Sequence, residues 1–144
     1  MLNEANTRIM AIDYGSKRVG IAVSDPLCLF PSLIVTIPNN DKTFTEINNL
    51  ILNKNVGRIV LGYPYNKNAS TLELGKKIVK FKNHLEDTFK IRVDLWDENL
   101  TSKMAQSRII NSVTKKSKRR NKSLIDSHSA AIILEEYLNS AKSK

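Results

Sequence analysis

Arg8-Ile9-Met10-Ala11-Ile12-Asp13-Tyr14-Gly15-Ser16-Lys17-Arg18-Val19-Gly20-Ile21-Ala22-Val23-Ser24 is the stretch on which the fold turns. Residues 8–13 are apolar at successive positions up to the terminal aspartate, the pattern of a strand buried on both faces. Gly15 to Arg18 is a short polar turn containing a glycine, and Val19 to Ser24 is a second strand. Two such runs around so short a turn form a hairpin, which Asp25-Pro26 ends. Gly15 is expected to permit a tight or left-handed turn. A carboxylate, Asp13, thus stands at the end of a strand that is otherwise core, on the face shared with Ile9 and Ala11.

Outward from the hairpin, Leu33 to Ile37 reads as a third strand, closed by Pro38-Asn39-Asn40. Phe44, Ile47, Leu50 and Ile51 recur at helical spacing and predict a helix over about 41–54. Arg58 to Leu61 is a short strand stopped by Gly62-Tyr63-Pro64. Ser70-Thr71-Leu72-Glu73 has capping-box spacing, and Leu74, Ile78, Phe81 and Leu85 follow on one stripe of a second helix. Ile91 to Trp96 alternates as a fifth strand. Thr101 or Ser102 caps a third helix whose inward residues are Ala105, Ile109, Ile110 and Val113. A last helix covers about 124–139. The order is three strands, then helix, strand, helix, strand, helix, helix. This is a mixed α/β domain with a five-stranded sheet that starts antiparallel, continues by crossovers, and is flanked by helices.

The chain has 144 residues, of which 41% are hydrophobic. That suits one domain with one core, residues 1–144, and excludes disorder as a description of the whole. No apolar run approaches the ~20 residues of a membrane helix, so no membrane partner is expected. The polar segment Met1 to Arg8 lacks a signal peptide's apolar stretch, so a cytoplasmic location is expected. Cys28 is the single cysteine and reads as a packing residue, with no intrachain disulfide available. Twenty-three basic residues against fourteen acidic leave a net charge of +9. Such a balance favours a polyanionic partner, most commonly nucleic acid, although a generally lysine-rich composition also produces it.

Three carboxylates sit where buried elements end. Asp13 closes the first strand, Glu98 directly follows the fifth, and Asp126 opens the last helix. Counting four, seven, eight and eleven residues on from Asp126 reaches Ala130, Ile133, Leu134 and Tyr137, so Asp126 lies on the apolar stripe. An unpaired carboxylate there costs several kcal/mol, on the order of what a cation or hydrogen-bond network must offset. Ser123-Leu124-Ile125-Asp126 also fits a capping box, in which Asp126 only satisfies backbone donors. Taken singly, Asp13 is a turn former and Glu98 a solvated loop residue. Together the three form a site suited to Mg²⁺ or Mn²⁺. Asp97 points the other way if the strand continues, and is assigned a structural role.

Basic residues accompany these acids. Lys17 and Arg18 occupy the hairpin turn near Asp13. Residues 114–122 form a run without an apolar side chain, expected to be a mobile loop. Its Lys115, Lys116, Lys118, Arg119, Arg120 and Lys122 suit a phosphate backbone better than a merely solvated surface. His128 is read as a surface or packing residue rather than a general acid. His84 is mid-helix without an assigned role, and Trp96 and Phe81 are core rather than base-stacking platforms.

Four segments carry a family resemblance. Ala11 to Pro26 resembles the opening signature of the YqgF family, also called RuvX. Leu61-Gly62-Tyr63-Pro64 resembles its glycine–proline turn, and Asp97-Glu98-Asn99-Leu100-Thr101-Ser102 its Asp-Glu-Arg-Leu-Thr-Ser segment. Ile125-Asp126-Ser127-His128-Ser129-Ala130-Ala131-Ile132-Ile133-Leu134 resembles its last helix. The resemblance implies an RNase H-like fold related to the Holliday-junction resolvases. It implies a metal-dependent nuclease acting in maturation of the 5′ end of 16S ribosomal RNA. The family's acidic positions fall on Asp13, Glu98 and Asp126. Asn99 stands where the family usually has Arg, which removes a cation and a bidentate phosphate grip.

The leading expectation is a Mg²⁺- or Mn²⁺-dependent endonuclease on structured RNA, monomeric or homodimeric. A resolvase of branched DNA and a non-catalytic nucleic-acid binding protein are the alternatives. An Asp-x-Gly hairpin also occurs in two-lobed sugar-kinase and actin-like ATPases, for which this chain is too short.

Overall fold

The computed structural model describes residues 7–65, 68–97 and 122–142, with side chains described throughout these except at 69, 70, 122–127, 141 and 142. Among the described residues eight elements run in the order β1 (Arg8–Tyr14), β2 (Arg18–Ser24), β3 (Pro31–Pro38), α1 (Thr43–Lys54), β4 (Val56–Tyr63), α2 (Ala69–Phe89), β5 (Arg92–Asp97) and α3 (Lys122–Lys142). The helix expected from Thr101 or Ser102, together with residues 98–121, lies outside the described residues.

The five strands form one sheet in the order β3-β2-β1-β4-β5. β1 pairs antiparallel with β2, and β2 antiparallel with β3. β1 pairs parallel with β4, and β4 parallel with β5. The sheet is therefore mixed, as expected, and β1 is its central strand. The C-terminal ends of β1, β4 and β5 lie along one edge.

The pleat of β1 sends Met10 and Ile12 to one face and Ala11 to the other, all fully buried. On the first face Ile21, Ile59, Leu61 and Val93 meet Ile47 and Ile51 of α1 and Ile78, Phe81 and Leu85 of α2. On the second face Ala11, Ala22 and Val60 meet Ala130, Ile133, Leu134 and Leu138 of α3. Small side chains on the strands let this one helix approach the sheet closely. α3 is buried all round over residues 129–134, the mark of a core helix rather than a surface one.

Polar contacts fix where α3 lies. The Tyr137 hydroxyl accepts from Arg58 Nη1 at 2.8 Å and donates to Asp94 Oδ2 at 3.2 Å. Trp96 Nε1 donates to Glu136 Oε2 at 3.0 Å. The Trp96 ring meets Tyr137 edge-on at 5.6 Å, so Trp96 is a packing residue, as expected.

The start of α2 differs from the expected Ser70–Glu73 box. Asn68 is the N-cap: its side chain accepts from Thr71 N at 3.0 Å, and its own N–H donates to Thr71 Oγ1 at 2.9 Å. A threonine here fills the reciprocal role usual for glutamate. Glu73 instead pairs with Lys76 at 3.7 Å. No described helix is long and apolar enough to cross a membrane.

Candidate active site

Asp13 is the penultimate residue of β1 and is partly buried. It lies directly opposite Gly20 of β2. On the other side, Ile12 pairs with Leu61, so the next residue of β4, Gly62, flanks Asp13 there. Gly62 in turn pairs with Trp96 of β5. Asp13 shares the parity of Ala11 and so belongs to the α3 face. The strand positions on both sides of this carboxylate therefore carry no side chain. The result is a notch at the C-terminal edge of the sheet.

The turn beside it is preorganised. A Cβ on Gly15 would stand 2.5 Å from the Arg18 carbonyl oxygen. Glycine is thus required by a close approach, not by a left-handed backbone, since no described glycine has positive φ. Asn39 Nδ2 donates to Gly15 O at 2.8 Å, and Asn39 N donates to Lys17 O at 2.9 Å. These two bonds staple the hairpin turn to the end of β3. Lys17 is exposed and Arg18 partly buried, both at the rim of the Asp13 edge.

A second staple holds the far end of the hairpin. The Asp25 carboxylate accepts from the N–H groups of Leu27, Leu29 and Phe30 at 3.1, 2.7 and 2.9 Å. The bond from Phe30, then those from Leu29 and Leu27, holds its pKa below the ordinary value against the opposing effect of desolvation. Cys28 sits within this loop, with Sγ 3.4 Å from the Thr7 carbonyl oxygen, as a packing residue.

Asp126 lies in the first turns of α3, on the stripe it shares with the fully buried Ala130, Ile133 and Leu134. Its side chain, Glu98, Asn99 and the basic run up to Arg120 lie outside the described residues. Lys122 begins α3, so the last residue of the expected loop is helical. Among the described residues no three His, Cys, Asp or Glu side chains form a metal-holding group. His128 is partly buried on α3. Asp97 ends β5, exposed and paired in register with Tyr63, which packs on the α1–α2 side, opposite the face of Asp13. His84, which the helical pattern left without a role, packs its ring 4.1 Å from that of Phe44.

A family model described as Holliday junction resolvase, RuvX, matches residues 7–140. The chain belongs to the RuvX family. A relative from Thermoanaerobacter pseudethanolicus named "Putative pre-16S rRNA nuclease" is 37% identical, covering 95% of this chain and 99% of its own. A protein of the same name from Bacteroides thetaiotaomicron is 39% identical over 94% of this chain and 99% of its own. Among solved structures, Thermus thermophilus RuvC in complex with a Holliday junction substrate superposes with a TM-score of 0.57 at 11% identity, covering 96% of this chain and 97% of its own. The Fowlpox virus resolvase in complex with Holliday junction DNA gives 0.56 at 16% identity, covering 94% and 99%. These likenesses establish the expected RNase H-like fold for this RuvX chain.

Proposed function

We propose that this chain is a metal-dependent endonuclease that processes the 5′ end of precursor 16S ribosomal RNA, acting in the cytoplasm as one domain, residues 1–144. The observation that carries the proposal is Asp13 in its notch, a carboxylate on the α3 face with glycine on either side. The relatives' shared name supports the substrate.

Asp13, Glu98 and Asp126 would hold Mg²⁺ or Mn²⁺. The donor set is carboxylate oxygen throughout, which suits these hard cations. The buried Ser129 hydroxyl, one helical turn beyond Asp126, has no hydrogen-bond partner among the described residues, so this helix brings unmet polar capacity to its first turns. Strand geometry supports the convergence. Tyr137 is anchored at Arg58 and Asp94, near the starts of β4 and β5. Counting back eleven residues along a helix covers ~16 Å, about five strand residues. That rise carries α3 from Tyr137 toward the C-terminal edge of the sheet, where Asp13 lies. The order of contacts, Tyr137 to Asp94 but Glu136 to Trp96, agrees with that sense.

An ion held by these carboxylates would supply activation of water and neutralisation of the leaving oxygen in phosphodiester hydrolysis. The chain's own residues orient and neutralise. Lys17 and Arg18 flank the Asp13 edge and engage a phosphate. Lys115, Lys116, Lys118, Arg119, Arg120 and Lys122 add sequence-independent backbone affinity. Asn99 supplies hydrogen bonds but no charge, which shifts phosphate holding onto those cations. The test is cleavage of a 16S precursor fragment by pure protein with Mn²⁺. The reading fails if wild type cuts no better than Asp13→Asn.

A resolvase reading is favoured by the family description and by the fold shared with two junction-bound proteins. Paired cuts across a four-way junction need a symmetric dimer. A protein that stays monomeric at working concentration and leaves junctions intact excludes it.

A further inference from the structure

On the opposite face of the same sheet edge, a cavity of about 390 Å³ opens between α1, α2 and the β1–β2 turn. That volume falls within the usual range for small-molecule and nucleotide sites, roughly 300–1,000 Å³. Its walls are aromatic: Tyr14, Phe44, Phe81 and His84. Ring centroids lie 4.9 Å apart for Tyr14 and Phe81, 5.2 Å for Phe44 and Phe81, and 4.1 Å for Phe44 and His84. Its mouth carries Lys77 and Lys80, both exposed.

The pairing of lysines along α2 is uneven. Lys76 is bound to Glu73, and Lys82 to Glu86 at 2.8 Å. Lys77 and Lys80, the two that line the cavity, have no acidic partner within ion-pair distance among the described residues. Lys77, Lys80 and His84 follow one another at helical spacing, so the open cations and the imidazole form one stripe beside the rings. The Asn39 bonds to Gly15 and Lys17 hold the turn at the rim. Aromatic walls with unpaired cations at the mouth are the combination that takes an unpaired nucleotide, base on the rings and phosphate on the lysines.

Position adds to this. Tyr14 directly follows Asp13, and consecutive strand residues project to opposite faces. A strand of nucleic acid crossing the C-terminal edge of β1 thus passes from the Asp13 notch to this cavity. We propose that the cavity walled by Tyr14, Phe44 and His84 over the buried Phe81, with Lys77 and Lys80, binds one unpaired nucleotide of the RNA that is cut at Asp13. The proposal rests on the nuclease reading for the identity of the strand, but the binding site itself does not require cleavage.

The experiment measures anisotropy of a labelled single-stranded oligoribonucleotide and of its counterpart lacking bases, in EDTA so that no cleavage occurs. Wild type should bind the base-bearing strand about tenfold more tightly than the base-free one. His84→Ala and Phe44→Leu should shrink that ratio to about twofold. His84 is exposed, so its variant folds even if Phe44→Leu does not. Lys77→Gln with Lys80→Gln should weaken both strands and lower the slope of log affinity against log salt by roughly 0.7–1.4. A base-dependent ratio that is absent in wild type or unchanged in His84→Ala and Phe44→Leu, or a salt slope unchanged in the lysine variant, overturns the proposal. Cleavage that is lost in Asp13→Asn while these ratios are unaltered by any cavity variant sinks the cavity alone. Cavity-dependent binding by a protein that never cleaves sinks the nuclease reading alone.

Discussion

The Tyr137 hydroxyl accepts a hydrogen bond from Arg58 at 2.8 Å, joining residues 79 positions apart in the chain. Because the same hydroxyl donates a hydrogen bond to Asp94, one phenol ties α3 to both β4 and β5. Tyr137→Phe keeps the ring against Trp96 and deletes both bonds. It should lower stability by about 1–2 kcal/mol in urea denaturation. It should also reduce cleavage more than stability alone explains, since α3 carries Asp126.

Asp13→Asn tests the notch directly. Removing one carboxylate from the proposed three-carboxylate site should abolish Mn²⁺-dependent cleavage, a loss of at least ~10³-fold given the electrostatic work assigned to such sites. Wild type should show a rise in melting temperature on adding Mn²⁺, because a ligand of the folded state alone stabilises it. The variant should show little or none. A Mn²⁺-dependent shift of equal size in both proteins contradicts Asp13 as a ligand.

The Asp25 staple has a pH signature. Its carboxylate titrates below the ordinary value of about 3.9 in the folded state. It therefore adds stability that is complete above pH ~4 and is lost as pH falls through the folded value. Asp25→Ala should melt several degrees lower than wild type at pH 7. The gap should close progressively in acid, as calorimetry between pH 7 and 2.5 would show.

The N-cap of α2 distinguishes two alanine variants. Asn68→Ala removes an acceptor for Thr71 N and should cost about 1 kcal/mol. Ser70→Ala lies within the helix and should cost far less. Equal losses in the two would return the cap to Ser70.

That pair also shows how far periodicity and capping patterns reach. The hairpin, the five strands and the inward stripes of α1 and α2 were legible because burial on a sheet or helix face imposes a period on the residues. Asn68 was missed because Asn–Thr reciprocity lacks the familiar acidic partner. Asp13 was legible as a candidate, being a charge closing an apolar strand. Its two glycine neighbours were not, since Gly20 and Gly62 acquire meaning only once β2 and β4 are in register with β1. The aromatic cavity was hidden for the same kind of reason. Phe44 and Phe81 fit core stripes, and nothing local links them to Tyr14 or to Lys77.

The placement of α3 bears on the order of assembly. β1, β2 and β3 are successive antiparallel neighbours, so their contacts close short loops and form early. α3 packs on the hairpin only after the longest loop closures in the described structure. Refolding should therefore produce the sheet before the Asp13 face is covered, with nuclease activity recovered in the slowest phase rather than in step with strand formation.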